Sequence, residues 1–83
     1  MTSEKPHRSP LSEITTGARV VFRGLDAGRG LISRLAALGL VAGAQMEVLQ
    51  NSGHGPVLVR VQNTRMALGR AEAKKVLVEE IEQ

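Results

Sequence analysis

Apolar and polar positions alternate along most of the chain after Pro10. From Ala18 to Leu25, Ala18, Val20 and Phe22 share one parity while Arg19, Val21 and Arg23 share the other. Period-two alternation with β-branched and aromatic residues predicts a strand. The same pattern predicts strands over 44–50 (Met46, Val48 inward), 56–62 (Val57, Val59, Val61), 64–69 (Met66, Leu68) and 75–81 (Val76, Val78). The glycines of Asn51–Gly55 suit a hairpin loop, and Gln62-Asn63 is a tight connection. One segment breaks the alternation. Leu31, Leu35 and Leu38 fall at i, i+4 and i+7, which predicts a helix over 29–38 closed by Gly39 in a left-handed cap. Leu40 stands where it can pack back on the last turn. Leu11 and Ile14 anchor a short helical lead-in, and 71–74 form a single 3₁₀ turn. Five short strands with one short helix after the first predict a mostly β fold, a small SH3-like five-stranded barrel. An open α+β sheet is the alternative.

Residues 1–10 are polar, carry two prolines and show no periodicity. They read as a flexible tail ahead of one domain over 11–83. Leu, Ile, Val and Phe make up 23 of the 83 residues, enough for a core but a small one. With no cysteine, disulfides and thiolate metal sites are excluded. No apolar run approaches the ~18 residues of a membrane span. The opening residues lack the apolar core of a signal peptide, so the expected location is cytoplasmic.

Net charge is +3, with eight of the eleven basic residues being arginine. A basic balance raises nucleic-acid binding as an alternative function. Phe22 is the sole aromatic, however, so stacking on bases is nearly unavailable. The metal-ligand candidates are His7, His54 and the acidic residues Glu72, Glu79, Glu80 and Glu82, with no histidine–acid spacing typical of a closed site. His54, in a glycine-rich loop, is the one weak candidate for Fe²⁺ or another divalent transition metal, and a weak metal-sensing domain is a further alternative. No cofactor is required. Gly28-Arg29-Gly30 begins like a dinucleotide fingerprint, but Ser33 replaces the third glycine; these glycines are expected to let the chain turn into the helix. No nucleophile has a partner at motif spacing, so catalytic residues are not expected and the protein is not read as an enzyme.

On the outer parity of the strands lie Val21, Leu49, Leu58, Leu77 and Ile81. Where the helix leaves them uncovered they would form an apolar patch rimmed by Arg19, Arg23 and Arg60, a composition that suits a protein interface. The partner-binding candidates are Arg34, Leu40, Arg19, Arg23, Leu58 and Arg60. Leu31, Leu35 and Leu38 are assigned mostly to the core.

The stretch Arg34-Leu35-Ala36-Ala37-Leu38-Gly39-Leu40-Val41-Ala42-Gly43 carries the pattern RL..LGL..G. Leu11…Gly17-Ala18 precedes it, and Met66-Ala67-Leu68-Gly69 and Ala73…Val76-Leu77-Val78 follow. In that order the chain resembles the FeoA family over about residues 11–81. The resemblance implies a small cytoplasmic SH3-like barrel. It also implies an accessory or regulatory role in ferrous iron transport beside FeoB, a large membrane permease with a GTP-binding domain. A homo-oligomer is compatible with it. Ala42 stands where the family often has proline, which loosens the turn before Gly43.

Overall fold

The computed structural model describes residues 8–81. A two-residue strand β1 (Ser9–Pro10) leads into a 3₁₀ turn (Leu11–Glu13). β2 (Arg19–Leu25), α1 (Arg29–Ala37), β3 (Gln45–Gln50), β4 (Val57–Val61), β5 (Thr64–Leu68), α2 (Arg70–Ala73) and β6 (Val76–Glu80) follow. All five expected strands and the helix after the first of them are present, shifted by at most a residue at most ends. β1 was not expected. It pairs Ser9 with Val78 and Pro10 with Leu77, so the flexible segment expected over 1–10 overlaps an ordered strand at its end. Residues 1–7 of that segment lie outside the described residues.

The strands form one antiparallel sheet in the order β1-β6-β2-β3-β4-β5. The connection from β5 to β6 shows that this sheet is curled. The two strands run in the same direction with three strands between them. In a flat sheet Leu68 and Val76 would stand roughly 25 Å apart. The residues linking them, partly wound into α2, reach only about 20 Å. The sheet therefore rolls until its ends approach. Its hydrogen-bonded ladder does not close, since β1 and β5 are its two ends among the described residues. α2 and the 3₁₀ turn touch there and bury Ala73 and Leu11 completely.

The inner parity is the one that the alternation predicts. Val20, Phe22, Met46, Val48, Val57, Val59, Val61, Leu68, Val76 and Val78 join Leu11, Ile14, Leu35, Leu40 and Ala73 in one buried cluster. Two irregularities bend the strands, one at Arg23 between Phe22 and Gly24, the other at Leu49 between Val48 and Gln50. Each leaves one residue without a cross-strand partner and increases local twist, as a barrel of this size requires.

α1 has only nine residues and is too short to persist alone. Leu35 anchors it in the core, and its end is fixed by a Schellman motif. The N–H of Leu40 donates to the Leu35 carbonyl and that of Gly39 to the Ala36 carbonyl, both at 3.0 Å. Gly39 sits at φ +102°, a conformation that side chains rarely adopt. This cap decides the fate of the leucines around it. Leu40 turns inward and is 2% exposed, while Leu38 is 45% exposed. The assignment of Leu38 to the core is therefore corrected, because Leu38 is the residue on which the helix unwinds. The role expected of the glycines at the entry to α1 is also corrected. Gly24, Gly28 and Gly30 do not have positive φ, so the turn into the helix does not depend on glycine there.

Candidate functional site

Three large aliphatics are exposed among the described residues, and two of them share one groove. Ile32, Leu38 and Val41 are 42%, 45% and 50% exposed. Ile32 and Val41 line an open groove of about 280 Å³ with Phe22, Leu25, Ala36 and Leu40. One wall is α1, another the end of β2, and the third the turn after the helix. The turn is held by the Gly43 N–H on the Phe22 carbonyl at 2.9 Å and the Ala44 N–H on the Val41 carbonyl at 2.9 Å. The Schellman cap that buries Leu40 is what pushes Val41 outward. The groove is thus a consequence of the Leu38-Gly39-Leu40-Val41 run folding as it does.

The partner-binding residues expected from sequence distribute differently. Leu40 is buried and contributes only to the groove floor, so a direct reach to a partner from its side chain is corrected. Arg34 lies exposed and pairs with Glu72, which also accepts from the Gly69 N–H at 3.3 Å, so it ties α1 to α2. Arg23 donates to Glu79 at 3.0 Å. Arg19 and Arg60 are brought together with Glu47 between them; Arg60 pairs with Glu47. Leu58 is half-buried between Gln50 and Ala67. Val21, Leu49, Leu77 and Ile81 are likewise half-buried, so among the described residues the outer sheet face presents no large exposed aliphatic. Cross-strand neighbours screen them: Pro10 lies beside Leu77, and Gln45 and Glu79 beside Val21. Phe22 and Leu25 share the open groove with α1 instead.

For a metal, the residues do not converge. Among the described residues no three of His, Cys, Asp and Glu come together. His54 is exposed in the β3–β4 loop, where its carbonyl accepts from Ser52 Oγ at 3.0 Å. Glu72 and Glu79 are occupied by arginines, and Glu80 is exposed on β6. His7 and Glu82 lie outside the described residues. This donor set does not fit a closed Fe²⁺ or Zn²⁺ centre.

A polar junction that no sequence pattern announces joins Asn51 and Arg70. Asn51 Nδ2 donates to the carbonyls of Ser12 at 3.0 Å and Ile14 at 2.7 Å. Arg70 donates to Ser12 O, Gly55 O and Asn51 Oδ1. A lone Asn in a loop and a lone Arg before a turn carry no spacing that points at each other.

A model of the FeoA domain matches residues 9–80, nearly all of the described chain. The chain belongs to the FeoA domain family. Ferrous iron transport accessory proteins of SH3-like fold are its class. A protein of Methanocaldococcus jannaschii whose name assigns it to Fe(2+) transport as protein A is 34% identical over 73 residues, 88% of each chain. The crystal structure of an iron uptake regulatory protein, FeoA, superposes with a TM-score of 0.83 at 29% identity, covering 90% of this chain and 100% of the other. The FeoA of Stenotrophomonas maltophilia, solved with zinc and described as an SH3 domain protein, gives 0.72 at 34% identity over 82% and 86% of the two chains. In this FeoA domain the signature run Leu38-Gly39-Leu40 is the Schellman cap that shapes the groove. Among its described residues no helix is long and apolar enough to cross a membrane.

Proposed function

We propose that this FeoA domain serves ferrous iron uptake in the cytoplasm as a docking protein. Its partner is the cytoplasmic part of a FeoB-type permease, which carries the GTP-binding domain. The ferrous ion enters as the permease's cargo. The observation that carries this reading is the α1 groove with the exposed Ile32 and Val41 in its lining. Two large exposed aliphatics lining one concavity suit a partner surface better than water. Covering the exposed half of each contributes about 1 kcal/mol. A groove of this size admits one or two partner side chains and holds no converging ionisable groups, which favours docking over catalysis. Docking changes the permease only if the groove binds one of its conformations better than another.

The test is a titration of the purified permease cytosolic portion with the wild-type protein and with Ile32→Glu and Val41→Glu, alongside iron uptake in cells carrying each variant. Saturable binding by wild type, lost in both variants at unchanged melting temperature, supports the reading. Absence of binding with normal uptake in the variants overturns it. A melting temperature raised by Fe²⁺ or Zn²⁺ alone would point instead to metal sensing through His54.

A further inference from the structure

The strand registers align four charged residues into a row across the outer face of the sheet. Arg19 on β2 stands opposite Glu47 on β3, Glu47 opposite Arg60 on β4, and Arg60 opposite Arg65 on β5. Arg19, Arg60 and Arg65 are exposed, and Glu47 is partly so. Glu47 pairs with Arg60; among the described residues neither Arg19 nor Arg65 has an ion-pair partner. One carboxylate thus faces three guanidinium groups. Arg60 and Arg65 are directly opposite, an arrangement of like charges that costs stability in a sheet. Beside the row lies an open polar trough of about 280 Å³ lined by Arg19, Glu47, Arg60, Gln45 and Gln62.

Edge protection accounts for Arg65, since a basic residue on a terminal strand discourages strand pairing with other chains. It does not account for Arg19 and Arg60, which lie on interior strands. The spacing favours a ligand of a particular form. Neighbouring strands are about 4.8 Å apart, so Arg19 and Arg65 are separated by about 14 Å measured along the curved outer surface of the sheet. In an extended peptide, side chains at i and i+4 point the same way and lie about 14 Å apart. The carboxylate of Glu47 in mid-row repels a continuous phosphate backbone, and the one aromatic ring, Phe22, is buried, so no base can stack on it.

We infer that the row Arg19–Glu47–Arg60–Arg65 is a docking surface for an extended acidic segment of a partner protein, with carboxylates four residues apart seated on Arg19 and Arg65. The segment crosses the strands rather than joining the sheet, and places a small or polar residue over Glu47. None of these four residues lines the α1 groove, so this surface is independent of the docking proposed above.

The experiment is fluorescence anisotropy with the full chain and labelled Gly/Ser peptides carrying two glutamates, either four residues apart or adjacent, and with a labelled oligo(dT). Binding of the four-apart peptide should saturate, exceed that of the adjacent form, and weaken as salt rises. The double variant Arg19→Gln/Arg65→Gln should lose about tenfold in affinity. Glu47→Gln should bind several times more tightly, because it removes the one negative charge from the row. Arg29→Gln, on α1, and Ile32→Glu should bind as wild type. Failure of the peptide to saturate overturns the inference. So does equal binding by the double variant, an equal loss in Arg29→Gln, or tighter binding of oligo(dT) through the same arginines.

Discussion

Arg70 donates to Oδ1 of Asn51 at 2.9 Å, and together they lock three separate segments at one end of the barrel. Asn51 Nδ2 holds the carbonyls of Ser12 and Ile14, and Arg70 holds those of Ser12 and Gly55. The 3₁₀ turn, the β3–β4 loop and α2 meet at this junction. Asn51→Ala strands two partly buried carbonyls and one guanidinium nitrogen. It should cost about 1–3 kcal/mol, read as a lower urea midpoint at unchanged slope. Arg70→Lys should cost nearly as much as Arg70→Ala, because a single ammonium cannot reach three acceptors set out for a planar fork.

Gly39→Ala tests the cap. An added Cβ would lie 3.7 Å from Val61 Cγ1, ordinary contact, so the penalty comes from φ +102° and not from crowding. A loss of about 1–2 kcal/mol is expected, equivalent to a fall in Tm of roughly 4–16 °C for a chain of this size.

Gly30 makes the opposite case. It lies inside α1 without a positive φ, and a Cβ added there would have no neighbour within 4 Å. Gly30→Ala should raise stability by about 0.5–1 kcal/mol, since alanine restricts the unfolded chain and favours the helix. A thermal melt that moves down would show that the start of α1 is under a constraint its backbone angles do not reveal.

Gln62 is the one non-glycine with positive φ among the described residues, at +57° in the β4–β5 connection. Gln62→Gly relieves the left-handed conformation and should stabilise by up to about 1 kcal/mol. The refolded hairpin should keep its register, checked by unchanged amide exchange in Val59 and Val61.

The ion pairs are expected to matter little for stability. Arg34 and Glu72 are exposed by 60% and 33%. Arg34→Ala should therefore change the unfolding free energy by no more than about 1 kcal/mol, with a smaller change at high salt. A larger loss would mean that the α1–α2 tie is a structural pillar of the groove wall.

How far the chain could be read before folding differs from residue to residue. Val57, Val59 and Val61 announce an inward strand face by themselves, because strand periodicity is a property of neighbours in sequence. Leu35 and Gly39 announce a helix and its end for the same reason. Leu40 shows where local reading stops: its position after the cap was legible, but its inward turn follows from the 6→1 bond to Leu35 and the space beneath it. Arg19 and Arg60 were legible as exposed arginines. That they share a row with Glu47 and Arg65 was not, since no local pattern states which residue of one strand stands opposite which residue of another.

The sequence alone determined the five longer strands, the helix α1, the inner parity and the family pattern RL..LGL..G, because each is written in residues close together in the chain. Tertiary structure decided which aliphatics stay in water, how Asn51 meets Arg70, and which charges align across the sheet. Those depend on strand register and on the curl that brings β5 back toward β6, and both are set by packing between segments far apart in the chain.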